Sequence, residues 1–193
     1  MRRWPGLAIG LLLLSALTGC ASEPGERGPH LPGPTDAAES AEPDAAESAE
    51  AVAARQRAQS WLDAAVLPPG AVSSASAPAH FNSYYGWPCT PVEQIEAFWT
   101  VPGASVAETA DWLAQHPTAD LIVPHRPHFP EGVDVDGVNV GQVPAPDAQE
   151  GIVYTVAKTR HGVGVRAQIA AMHESATCPS LPPGTSLGGV GQG

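Results

Sequence analysis

With 193 residues, 20 acidic against 9 basic side chains and a formal charge of −11, the chain is long enough for one domain with appendages. Nucleic acid and anionic lipid faces are poor partners for such a chain, because both are held by clustered Lys and Arg, and no nucleic-acid partner is expected. The 20 glycines and 21 prolines put much of the chain in turns and loops.

Arg2 and Arg3 followed by the apolar run Leu7 to Leu17 form the pattern of an export signal. From Gly6 to Leu17 a helix would extend roughly 18 Å, well short of a ~30 Å hydrocarbon core, so a permanent span is not expected. Pro5 and Gly6 stand where a twin-arginine signal wants apolar residues, which leaves an ordinary positive start. Leu17-Thr18-Gly19-Cys20 then resembles the lipobox of bacterial lipoproteins. That resemblance implies a signal peptide over 1–19, lipidation of Cys20 through a diacylglyceryl thioether, and an outward-facing, lipid-anchored place on the cell membrane. Two or more acyl chains anchor a protein stably where one does not.

Residues 20–43 read as an acidic, Pro/Ala-rich tether with too little apolar surface to offset the entropy of ordering. The heptad Asp36–Glu42 recurs as Asp44–Glu50 after Pro43, and neither copy carries a large apolar residue to stack. An α+β domain is expected over 44–180 and a flexible Pro/Gly/Ser tail over 181–193. Asp44 is the expected N-cap of a helix running to Leu67, with an exposed N-terminal half. Its core stripe is Ala58, Trp61, Leu62, Ala65 and Val66, and Pro68-Pro69-Gly70 stops it.

Gln94 to Val101 alternates Ile95, Ala97, Trp99 and Val101 against Glu96, Phe98 and Thr100, a strand with one apolar face. Pro102-Gly103 ends it. Ser105 and Glu108 match a capping box, opening a helix that presents Val106, Ala110 and Leu113 with Trp112 flanking, and stops by Pro117. Leu121-Ile122-Val123 can pair briefly within a proline-rich loop, and Val133 to Val140 reads as a short strand.

Ile152 to Arg160 and Val163 to Met172 form the strongest element, a hairpin with a turn at His161-Gly162. That register opposes Val156 to Ala167 and Tyr154 to Ile169. It gathers Ile152, Tyr154, Val156, Val163, Val165, Ala167, Ile169 and Ala171 on one face. The other face, with Thr155, Thr159, Arg166 and Gln168, is polar enough for water or a ligand. The order of elements predicts a small α+β fold, a mainly antiparallel sheet with helices on one face.

Once Cys20 takes lipid, Cys89 and Cys178 remain as an even pair in an oxidising compartment, and a disulfide between them is expected. It would tie the segment before the first strand to the segment after the last, contributing up to ~4.5 kcal/mol in the chain-entropy model.

Leu67-Pro68-Pro69-Gly70-Ala71, Phe98 to Gly103, Trp112-Leu113 with His116-Pro117, and Gly162 to Gln168 together resemble a family of exported actinobacterial proteins without assigned activity. The resemblance spans about residues 60–175. It implies a discrete exported domain and carries no functional residues.

Three constellations bear on chemistry. His125 and His128, with Asp134 and Asp136 following, are a ligand set that suits zinc. Pro127 breaks helical geometry between the imidazoles, no third His or Cys lies at a recognised spacing, and Asp134–Gly137 lacks the remainder of a calcium loop. No metal or cofactor is therefore expected. Phe81, Tyr84, Tyr85 and Trp87 crowd a polar stretch with Asn82, Ser83 and Gly86, which suits a sugar ring or a partner's hot spot, or else closes one end of the core. Tyr84, Tyr85 and Trp87 are the expected partner-binding residues. No nucleophile motif is present, and Cys89, if disulfide-bonded, cannot attack with His173 as base.

The expectation is a lipid-anchored, non-enzymatic binding or accessory module whose domain meets an envelope protein or a glycan. The alternatives are a surface hydrolase or metal-dependent enzyme using His125 and His128, and a purely structural spacer.

Overall fold

The computed structural model describes residues 48–82, 85–130 and 133–192. The leader, Cys20, the tether, Asp44 and Tyr84 lie outside them. Ser48, not Asp44, caps the first helix, accepting the Ala51 N–H at 3.1 Å. This helix, α1 (Ala49–Asp63), stops short of Leu67. Leu67 precedes proline, which disfavours the α conformation, and the chain turns so that Leu67 and Ala71 rest on the core. The buried stripe is Ala51, Ala54, Ala58 and Trp61, so the N-terminal half is packed where exposure was expected. Small alanines let the helix lie close to the sheet. Polar pairs then fix its edge: Arg55 to Glu93 at 2.8 Å, Arg57 to Glu150 at 3.1 Å and to the Met172 carbonyl, and Ser175 to Glu50.

Five strands follow: β1 (Val72–Ser74), β2 (Thr90–Pro102), β3 (Gly137–Gln142), β4 (Gly151–Thr159) and β5 (Gly162–Thr177), with α2 (Val106–Gln115) between β2 and β3. They form one antiparallel sheet in the order β1-β2-β5-β4-β3. The expected α+β architecture is the observed one. Helix α1 lies over β2 and β5, and α2 over β3 and β4, both on the same face. The capping box of α2 is formed in both directions, Ser105 Oγ accepting the Glu108 N–H and the Glu108 carboxylate accepting the Ser105 N–H.

The helix-side core gathers Val101, Val140, Ile152, Tyr154, Val156, Val163, Val165, Ala167, Ile169 and Ala171 beneath the two helices. These include the eight hairpin residues expected on one face. The hairpin register is not the expected one, however. Thr159 pairs with Gly162 across an Arg160-His161 turn, and Val156 opposes Val165 instead of Ala167. A slide of two residues preserves both faces, so the hydrophobic pattern cannot tell the two registers apart. Gly162 decides between them. It stands at φ 142°, and a Cβ there would lie 2.3 Å from the Val101 carbonyl oxygen, so it serves as the first strand residue against β2 and not as the turn.

Two strand starts also differ from expectation: β2 begins at Thr90, and β3 begins at Gly137 with Val133 left outside it. The brief pairing expected of Leu121-Ile122-Val123 is present as one antiparallel bridge from Ile122 to Val143. β1 had no signal in the sequence. Cys89 and Cys178 form a disulfide with Cα atoms 4.1 Å apart, closing the end of the β2–β5 ladder beside the Thr90–Thr177 pair.

Candidate functional site

The second face of the sheet is where a polar surface was expected, and residues 78–82 and 85–87, between β1 and β2, lie against it. Gly164 allows that approach, since a Cβ there would lie 2.8 Å from the Ala79 methyl carbon. Phe81 stacks on Phe98 at 6.2 Å and sits 5.0 Å from the Arg166 guanidinium. The Tyr85 N–H donates to Gln168 Oε1 at 3.2 Å. Trp87 then enters a second, smaller core with Val143, Val153, Ala170 and Val190.

The C-terminal segment completes that core. Val190 is 2% exposed, and its backbone lies where a side chain at position 141 would be, so only glycine fits at Gly141. A segment that reads as a flexible tail in the sequence is thus fastened at Val190.

These coverings divide the polar face. Arg166 and Gln168 are roofed and buried. Thr155, itself buried, and the partly exposed Thr159 border a groove of about 700 Å³, lined also by His80 and Asn82 and by Asp136, Gly137 and Asn139. Thr155 opposes Arg166 in the sheet, and the Arg166 guanidinium donates to Thr155 Oγ1 at 3.3 Å. Glu96 lies 3.8 Å from the same guanidinium. Ala157 and Gly137, paired across β4 and β3, keep the floor low. Val156 also borders the groove, but its side chain is wholly buried in the helix-side core.

The one cation among the described residues that line the groove is already paired. The Lys158 ammonium is bonded to the Asp134 carboxylate. That hydrogen bond, opposed by burial and aided by the Asp134 and Asp136 charges, holds the Lys158 pKa above its ordinary value. The remaining polar side chains of the lining are amide, hydroxyl and imidazole, and Gly137, Val138, Val156 and Ala157 complete it.

The residues singled out in the sequence fall into different places. Trp87 is buried and its ring is used in closing the second core, with Tyr85 half-buried edge-on against it at 4.8 Å. Burial of Tyr85 raises its phenol pKa. His128 is exposed, and His125 borders a separate hollow of about 390 Å³ with Asp147, Gln149 and Gln192. Asp134 is engaged with Lys158. Among the described residues, no three His, Cys, Asp or Glu side chains gather where a metal ion could be held. Cys89 is committed to the disulfide, and His173 sits on the helix side, 3.2 Å from Glu93.

His80 and Asn139 were not singled out in advance. Asn139 alternates with valines in β3, which marks a polar face without saying what lies opposite. His80 reaches the groove only because its segment folds back across the sheet. No helix among the described residues is long and apolar enough to cross a membrane. No known protein family, curated protein or solved structure matches the chain.

Proposed function

We propose that this chain is a lipid-anchored extracytoplasmic binding module, non-enzymatic, which engages a partner in the envelope through the groove on its second sheet face. The observation that carries the reading is the groove itself. It is of a size suited to ligands, and hydrogen-bonding side chains from β3, β4 and the crossing segment converge on it. Among its described lining residues no hydroxyl is hydrogen-bonded to a general base, which favours binding over turnover. The Cys89–Cys178 disulfide favours an oxidising compartment, in keeping with export. The lipobox resemblance at Leu17–Cys20 supplies the anchor.

Two substitutions test the two halves of this reading. Cys20→Ser should move the protein from the membrane fraction to the medium or leave an uncleaved precursor; unchanged fractionation and mass refute the anchor. A photoreactive side chain at Asn82 should crosslink to envelope material in intact cells, while the same group at Val66, exposed beyond the end of α1, should not. Equal labelling at both positions, or none at Asn82, refutes the groove as the binding surface. A structural spacer gives the latter result, and a hydrolase gives a processed product.

A further inference from the structure

We infer that the groove takes a neutral, hydroxylated ligand: a short glycan segment. This deepens the binding-module reading and rests on it. Charge makes the first selection. Among the described lining residues the only Lys or Arg is Lys158, which Asp134 already holds, and Asp136 stands beside it. A phosphate or carboxylate ligand would therefore meet an acidic wall without a cation to receive it, on a chain of net charge −11.

Hydrogen-bonding character makes the second. Asn82, Asn139, Thr155, Thr159 and His80 carry amide, hydroxyl and imidazole groups that each donate and accept, Asn139 and the buried Thr155 being partly engaged within the chain already. Sugar hydroxyls do the same, so a hydroxyl-bearing ring satisfies such a lining at many points without bringing charge. Thr155 has a set polarity here. Its oxygen accepts from Arg166, which leaves its own proton to be donated to a ligand oxygen.

Shape makes the third. Gly137 and Ala157 give a low floor between polar residues, on which the C–H face of a sugar ring can lie. A peptide would want apolar pockets for its side chains. The side chains of Val156 and Val138, paired across β4 and β3, both pack on the helix-side core, which removes the candidates for such a pocket.

The test is titration calorimetry on the full-length protein in detergent. The probes are chitotriose, maltotriose and arabinotriose as neutral sugars, trigalacturonate as an anionic sugar, and trialanine as a peptide. At least one neutral trisaccharide should bind in the millimolar range or tighter. Asn82→Ala and Thr159→Val should each weaken it roughly tenfold or more, the loss of about one well-placed hydrogen bond. Both positions retain solvent exposure, and unchanged circular dichroism verifies that the variants are folded. Val66→Ser serves as the control and should bind as the parent does. Preference for trialanine or trigalacturonate, abolished by the same two substitutions, overturns the glycan assignment while leaving the groove as a binding site. Failure of every probe to bind, or binding indifferent to both substitutions, overturns the glycan assignment; the Asn82 crosslinking result then decides separately whether the groove engages a partner at all.

Discussion

Gln142 is wholly buried on the helix side of β3, and both ends of its amide are used. Its Nε2 donates to the Leu113 carbonyl at 2.9 Å near the end of α2, and its Oε1 accepts the Thr118 N–H at 2.8 Å. One side chain thus satisfies a helix-terminal carbonyl and the loop that follows the helix. Gln142→Leu should cost about 1–3 kcal/mol for each of the two groups left unpaired, read as a lowered midpoint in urea with an unchanged slope. Tyr154, under the same helix, has its pKa pushed up to about 12 by burial, with the Thr118 hydroxyl acting weakly in the opposite direction. The unfolded phenol ionises near its ordinary value of 10.0, so the folded state holds its proton over a range in which the unfolded state loses it. Stability from this ring is therefore whole below pH 10 and is lost as pH rises towards 12. Tyr154→Phe should flatten that alkaline decline. Tyr85 and Lys158, whose pKa values are also raised, leave a residual slope of the same sign. An unchanged pH profile would refute the assignment of the decline to Tyr154.

At the scale of elements, periodicity made the helix-side core legible and close backbone approach did not. Ile152 to Val156 and Val163 to Ala171 declare their buried face by alternation, and Ser105 with Glu108 declares the start of α2. The hairpin register was missed because a two-residue slide changes no face, while the deciding contact is between Gly162 and β2, distant in sequence. The groove was half legible. Thr155 and Thr159 could be assigned to a polar face, but which part of that face borders a groove depends on where residues 78–82 and 85–87 lie against the sheet. The fastening of the C-terminal segment had the weakest signal, a single valine among glycines. Gly141→Ala tests it. A methyl at that position would meet the Val190 carbonyl at 1.9 Å, so the segment should be expelled. Proteolysis after residue 180 should then accelerate and Trp87 emission shift to the red; the parent's resistance and spectrum would contradict the packing described for Val190.

The described domain is a sheet with two unequal coverings: helices over one face, and over the other a crossing segment and a C-terminal strap that leave a groove between them. The disulfide holds the end at which β2 enters from that crossing segment and β5 leaves towards the strap. Its sequence separation of 89 residues is long, so replacing both cysteines by alanine should lower stability by about 2–4 kcal/mol while the sheet still forms. Equal stability of the two proteins would mean that the β2–β5 ladder needs no tie. The central claim is that the groove, and not the helix face, is the functional surface. Hydrogen–deuterium exchange on the full chain, with and without solubilised envelope material, addresses it most directly. Slowed exchange confined to residues 80–82 and 136–139 is the predicted result, because these backbones border the groove. Protection on α1 or α2 with none at the groove would contradict it.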